Sequence, residues 1–73
     1  MTDTELLKAR IQKSGYKIAF LAEQMELSRQ GLYHKINDRH EFTASEIEKL
    51  CDLLGVDSLE ERSRIFFAKE VDK

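Results

Sequence analysis

The chain has 73 residues, a length at which we expect residues 1–73 to form a single small domain. Hydrophobic residues make up 41% and charged residues 36% of it, the mix of an ordinary soluble domain, and no apolar run approaches the roughly 20 residues of a membrane span. The start, MTDTELLKAR, lacks the basic and apolar regions of a secretory signal. The single cysteine, Cys51, excludes an internal disulfide and suits a reducing compartment. We therefore expect a cytoplasmic protein that is too small to be an enzyme with a deep pocket.

The net charge of −2 is unevenly distributed along the chain. Residues 8–40 carry seven basic and three acidic side chains, whereas residues 41–73 carry five basic and nine acidic ones. Such asymmetry is expected when one face of a protein meets an anionic partner. The alternative is that the split arose by chance in a short chain.

Two helices are predicted in the first 25 residues, and proline, which would interrupt them, is absent from the chain. Over residues 2–14, apolar side chains recur at helical spacing, Thr2–Glu5 resembles a capping box, and Gly15 suits a left-handed cap. Apolar positions recur in the same way over residues 18–25. The whole chain is therefore predicted to be all-α.

Three more helices are predicted after a very short connection. Ser28 caps a helix over residues 29–36, and the polar stretch 37–42 is predicted to be a loop. Thr43–Glu46 forms a capping box for a helix that ends at Gly55, with Cys51 on its apolar stripe. A further capping box at Ser58–Glu61 predicts a last helix that extends to about residue 69.

The connection between the second and third helices carries a family resemblance. Only Glu26 and Leu27 separate the second helix from the Ser28 cap, and so tight a turn forces the two helices to cross steeply. The stretch IAFLAEQMELSRQGLYHKIN over residues 18–37 resembles the Cro/repressor-type helix-turn-helix of phages and mobile elements. With the capped helix ending in LLGV, the resemblance extends over about residues 5–56.

The resemblance implies a five-helix, lambda-repressor-like DNA-binding domain whose third helix enters the major groove. It implies a transcriptional regulator, a phage-type repressor, that occupies a double-stranded DNA operator as a homodimer. Two positions depart from the family pattern: Glu26 stands where glycine is usual, and Ile18 where glutamine is frequent. Glu26 therefore either adopts a left-handed backbone or lies in a different turn, and Ile18 lacks a side chain that supports DNA contacts in many relatives.

The third helix supplies the candidate DNA contacts. With Leu32 and Ile36 directed inward, the outward and flanking positions provide four predicted base-reading residues: Arg29, Gln30, Tyr33 and His34. Phosphate contacts are predicted from five residues in and around the same helix, with His40 as a further candidate: Lys17, Ser28, Lys35, Asn37 and Arg39. The alternative is an ordinary solvated face. Gly31 either permits a close approach to DNA or to the second helix, or is merely tolerated.

Phe66 and Phe67 of the last helix are adjacent and lie 100° apart, so both are not expected to fit one narrow buried stripe. Because the last helix often forms the dimer contact in repressor-type relatives, the resemblance implies that part of this apolar surface pairs two protomers. The alternative is that both rings close the core. No metal, cofactor, small-molecule ligand or membrane partner is expected, since His34, His40 and Cys51 lack the spacing of a zinc site. The rival function is a protein-interaction module such as an antitoxin or antirepressor, which the negative net charge and the acidic turn residue favour.

Overall fold

The computed structural model describes residues 1–68 and consists, over that range, of five helices and no strands. They are α1 (Thr4–Ser14), α2 (Ile18–Gln24), α3 (Arg29–Ile36), α4 (Ala44–Leu54) and α5 (Leu59–Phe66). The predicted all-α class is confirmed, and the predicted bounds of the third helix are those observed. The fifth helix ends at Phe66, before the predicted end at residue 69, which lies outside the described residues.

Four of the five helices begin at a side-chain cap, and three of these caps are the predicted ones. The side chains of Ser28, Thr43 and Ser58 each accept a hydrogen bond from the backbone N–H three residues later. The capping box at Thr43 is complete, because Glu46 also accepts from the Thr43 N–H at 2.9 Å. At Ser58 the reciprocal carboxylate, Glu61, instead lies 3.2 Å from Arg10 Nε.

The beginning of α1 differs from the prediction. The helix starts at Thr4, and Asp3 is its cap, accepting from the Leu6 N–H at 3.1 Å. The predicted start at Thr2 was wrong because Thr2 makes a long-range contact instead. Its N–H donates to Asp38 Oδ1 at 2.9 Å, and the residue is only 5% exposed.

Four helices end with a left-handed residue just past the last turn: Gly15 is that residue after α1, as predicted, and the other three helices share one motif. Their left-handed residues are Glu26 after α2, Asp38 after α3 and Gly55 after α4, with φ of 58°, 63° and 73°. In each case the next N–H bonds back to a carbonyl of the last turn, as in a Schellman cap. The bonds are Leu27 N–H to Ala22 (2.9 Å), Arg39 N–H to His34 (2.8 Å) and Val56 N–H to Cys51 (2.8 Å).

The core is built from all five helices. Each contributes a leucine or isoleucine that is at most 1% exposed: Leu7, Leu21, Leu32, Leu50 and Ile65. Since one residue of every helix reaches the centre, burial of these side chains fixes the helices against one another and leaves the polar face of α3 outside.

The two adjacent phenylalanines of the last helix separate between core and surface. Phe66 is 4% exposed, and its ring stands edge-on to that of Phe42 with 5.4 Å between the centroids. Phe67 is 58% exposed. Phe66 therefore closes the core of the chain and is not available for the predicted dimer contact. Phe67 remains at the surface for a second molecule, so the alternative that both rings close the core is also wrong.

Candidate nucleic-acid interface

Helices α2 and α3 are joined by a short turn of four residues, 25–28. Glu26 takes the left-handed conformation that the turn requires, and this decides between the two sequence interpretations of that position. Leu27 packs, half-buried, against the core. The buried side chains Leu21 and Ala22 of α2 lie in one core with Leu32 of α3, so the two helices pack against the same hydrophobic centre.

The predicted base-reading residues lie together on one face of α3. Arg29, Gln30 and Tyr33 are exposed, and His34 is half-buried next to them. By helical spacing, Gln30 and His34 lie opposite the buried Leu32, and Tyr33 and Arg29 flank them on one side. The face thus carries a guanidinium, an amide, a phenol and an imidazole, all of which can form hydrogen bonds with base edges.

The start of α3 is held by its cap. Ser28 Oγ accepts from the Gly31 N–H at 2.9 Å, and a Cβ atom at Gly31 would lie 3.0 Å from that oxygen. Gly31 therefore makes room for the cap, which neither sequence interpretation included. The capped first turn fixes the position of Arg29 and Gln30 relative to the turn.

The predicted phosphate contacts differ in how free their side chains are. Lys17 is exposed at the start of α2, and Asn37 and Arg39 are exposed at the end of α3. Lys35 is not free, because its Nζ donates to Glu46 Oε1 at 2.6 Å and its side chain is only 17% exposed. A phosphate contact from Lys35 would therefore have to replace an existing ion pair.

The sequence analysis assigned Glu46 only to a capping box and did not predict that it lies beside α3. Its carboxylate joins the cap of α4 to α3 through Lys35. Burial acts to raise the pKa of Glu46, but hydrogen bonds from Lys35 and Thr43 outweigh burial and lower that pKa. The carboxylate is thus ionised at neutral pH and ties α3 to α4. No local sequence signal relates two residues eleven positions apart.

The chain turns back after α3, because the N–H groups of Arg39 and His40 both point to the His34 carbonyl, at 2.8 and 3.4 Å. This brings the rings of His34 and His40 to 5.6 Å between centroids. Asp38, in the left-handed conformation at the centre of this turn, was not singled out from the sequence. Its role depends on a contact with Thr2 that only the folded chain brings together.

The remaining chemistry of the described part is limited. Cys51 is fully buried, and burial raises the pKa of its thiol against the opposing influence of Arg62. Residues 1–68 contain no group of three or more His, Cys, Asp or Glu side chains placed to hold a metal ion. Within the same range, no helix has both the length and the apolar character needed to cross a membrane.

Of the comparisons with known proteins, one supports the helix-turn-helix arrangement of α2 and α3. No curated protein and no solved structure shows significant similarity to the chain. The sequence pattern of one family, described as the Cro/C1-type HTH DNA-binding domain, matches residues 6–61. The match includes α2, the turn and α3, and extends into the first turn of α5. With more than half of its residues inside this match, the chain belongs to the family of Cro/C1-type helix-turn-helix DNA-binding domains.

Proposed function

We propose that this chain is a sequence-specific transcriptional regulator that occupies an operator as a homodimer, with α3 in the major groove. Its mechanism is steric: the bound dimer blocks or redirects RNA polymerase. The observation that carries the proposal is the exposed face of α3, where Arg29, Gln30 and Tyr33 lie between a capped first turn and a closed last turn. A helix fixed at both ends can present its side chains to base edges in one register.

Each side chain of this face has a specific task in the proposal. Arg29 donates two hydrogen bonds to guanine O6 and N7, and Gln30 bonds the N6/N7 edge of adenine. Tyr33 packs against a thymine methyl group or donates to a phosphate, and His34 contacts a base from the last turn. Together these contacts discriminate between sequences, because each base pair presents a distinct pattern in the major groove.

Phosphate contacts supply most of the affinity in this proposal. Lys17 and Ser28 contact DNA phosphates on one side of α3, and Asn37 and Arg39 contact DNA phosphates on the other side. The Lys17 position is favourable because the N–H groups at the start of α2 carry a partial positive charge. Lys35 contributes only where a phosphate displaces Glu46, so we expect it to add less than Arg39.

The proposed dimer forms through the groove between α1 and α5. Leu6 and Phe67 are exposed apolar side chains that line this groove. The groove also holds Glu60 and Arg64, which pair at 3.0 Å within one chain. Because a two-fold contact places the same surface on both sides, each Glu60 can meet the Arg64 of a second copy. The two half-sites then lie about 10 base pairs apart.

Selection of bound sites from random DNA at near-physiological salt tests the proposal. We expect a shared motif with two-fold symmetry. The Gln30→Ala variant should bind that motif more weakly by about 1–3 kcal/mol per half-site and lose preference at particular positions. Gln12→Ala is the matched control, since Gln12 is an exposed glutamine of α1, and it should leave both properties unchanged.

Two outcomes would contradict this function. If the selected sequences share no motif, or if Gln30→Ala keeps the parent preference, α3 does not read the groove. If the chain instead co-purifies with one protein and binds it tightly, the rival function as a protein-interaction module is favoured.

A further inference from the structure

We infer that Asp38 is a positioning residue for DNA binding: its carboxylate fastens the turn after α3 to the first residues of the chain and so orients Arg39 and His40 toward the phosphates. The inference rests on the proposed function and extends it to a residue that makes no DNA contact itself. It starts from an acidic side chain at a place in the fold where side chains are disfavoured.

Asp38 occupies the left-handed position of a Schellman cap. Its φ is 63°, its N–H bonds the Lys35 carbonyl at 3.1 Å, and the following N–H, of Arg39, bonds the His34 carbonyl at 2.8 Å. Glycine is the usual residue there, because a Cβ atom strains the backbone at positive φ. The equivalent position after α4 is indeed Gly55. At residue 38 the side chain makes a contact that offsets this strain.

The compensating contact is a hydrogen bond across 36 residues. Asp38 Oδ1 accepts from the Thr2 N–H at 2.9 Å, and Thr2 is only 5% exposed. A second bond runs beside it, since Thr4 Oγ1 donates to the Ile36 carbonyl at 2.8 Å. The end of the recognition helix is thus joined to residues 2–4 at two points. A hydrogen bond to a carboxylate is stronger than one between neutral groups.

Residues 1–3 are themselves fixed from the other side. The Asp3 N–H donates to the Ile65 carbonyl at 2.6 Å, and the Ala68 N–H donates to the Met1 carbonyl at 2.9 Å. Residues 1–3, to which Asp38 is hydrogen-bonded through the Thr2 N–H, are therefore also hydrogen-bonded to the end of α5. This makes the segment a rigid support, so the turn at residues 37–40 inherits a defined position relative to the core.

Orientation of this turn matters because the groups that follow Asp38 are proposed phosphate contacts. Arg39 and His40 are exposed and lie directly after it. A turn that is held in place loses less conformational entropy on binding than a free one. The Asp38 carboxylate is also partly neutralised by its hydrogen bond from the Thr2 N–H. Without that bond, a free carboxylate beside the DNA would repel phosphates.

The test uses substitutions at residue 38 with the selected operator DNA. Asp38→Asn keeps an acceptor oxygen and tolerates positive φ, so its affinity should stay within about twofold of the parent. Asp38→Gly removes the contact and the strain together. We expect it to weaken binding about five- to tenfold near 100 mM salt and to make the salt dependence shallower by about 2 per dimer.

Two comparisons separate positioning from a general loss of folding. In an Arg39→Ala background, Asp38→Gly should cost clearly less affinity than in the parent, because one of the two residues through which Asp38 acts is gone. Glu26→Gly relieves the same kind of strain in the same motif without breaking a side-chain contact, and it should not weaken binding. Thr2→Pro removes the donor while leaving Asp38 in place, so it should reproduce the loss even if Asp38→Gly folds poorly.

The inference is overturned if Asp38→Gly and Thr2→Pro bind as tightly as the parent with the same salt dependence. It is also overturned if the Asp38→Gly loss is equally large in the Arg39→Ala background. Should the parent chain bind no DNA sequence, the proposed function fails and this inference fails with it, whereas parent binding with unaffected variants overturns the inference alone.

Discussion

Replacement of Glu26 by glycine should stabilise the fold. Glu26 has φ of 58° in the Schellman cap of α2, and its side chain is exposed. Within residues 1–68 that side chain forms no hydrogen bond or ion pair. Relief of left-handed strain contributes about 1–2 kcal/mol. Glycine also increases the entropy of the unfolded chain, which offsets roughly 0.5–1 kcal/mol of this gain.

The expected net gain for Glu26→Gly is about 0.5 kcal/mol, which corresponds to a rise in Tm of about 2–4 °C for a chain of this size. The measurement is the urea midpoint at pH 7, with an unchanged m-value as evidence that the unfolded state is comparable. Gly55→Ala is the matched control, because Gly55 has φ of 73° in the same motif and no atom within 4 Å of an added Cβ. It should lose about as much stability as Glu26→Gly gains.

A clear loss of stability in Glu26→Gly would refute this reasoning, since it would mean that the side chain contributes more than the strain it imposes. A neutral Gly55→Ala would refute the strain estimate on which both expectations depend. Glu26→Gly also removes a negative charge from the basic half of the chain. We therefore expect DNA affinity to rise modestly at low salt and the difference to shrink as salt increases.

Three further outcomes follow from charge and packing. Glu46→Gln should lower stability by about 1 kcal/mol at pH 7. Because folding lowers the pKa of Glu46, the contribution of its carboxylate is fully present above the unfolded pKa and is lost as the pH falls through the folded pKa. The urea midpoints of parent and variant should therefore converge once the pH is below that folded pKa. Phe67→Ser should weaken DNA binding with little effect on the thermal midpoint, whereas Phe66→Ser should cost about 3 kcal/mol or more of unfolding free energy; equal destabilisation by both would place both rings in the core. If five to seven basic side chains of a dimer meet phosphates, titrations between 50 and 200 mM salt should give log K against log salt a slope of about −5 to −6, and a flat response would contradict DNA binding.

The helix bounds that were predicted correctly from the sequence are those determined by residues close by in the chain. Ser28 and Thr43 are good caps, and the apolar spacing behind each is unambiguous, so α3 and α4 were placed correctly. The start of α1 was misplaced because Thr2 has the local features of a cap but is engaged by Asp38. A local pattern cannot anticipate a tertiary contact that competes with it.

The same distinction holds for the candidate site. The reading face of α3 follows from the inward positions Leu32 and Ile36, since helical periodicity determines which side chains share a side. The pairing of Lys35 with Glu46 could not be predicted, because it depends on how α3 and α4 pack. Adjacent Phe66 and Phe67 gave no sequence basis for choosing which ring is buried, as each is equally apolar.

Two carboxylates of the basic half lie at left-handed positions on either side of α3, and their surroundings give them opposite roles. Asp38 has a donor in the Thr2 N–H, so its charge is engaged within the protein. Glu26 is exposed, and no side-chain partner is present in the described part of the chain. A free carboxylate beside the proposed DNA surface disfavours phosphate but would attract a basic protein surface. Glu26→Gly therefore separates the two candidate functions by sign: it should strengthen binding of an operator and weaken binding of a protein partner.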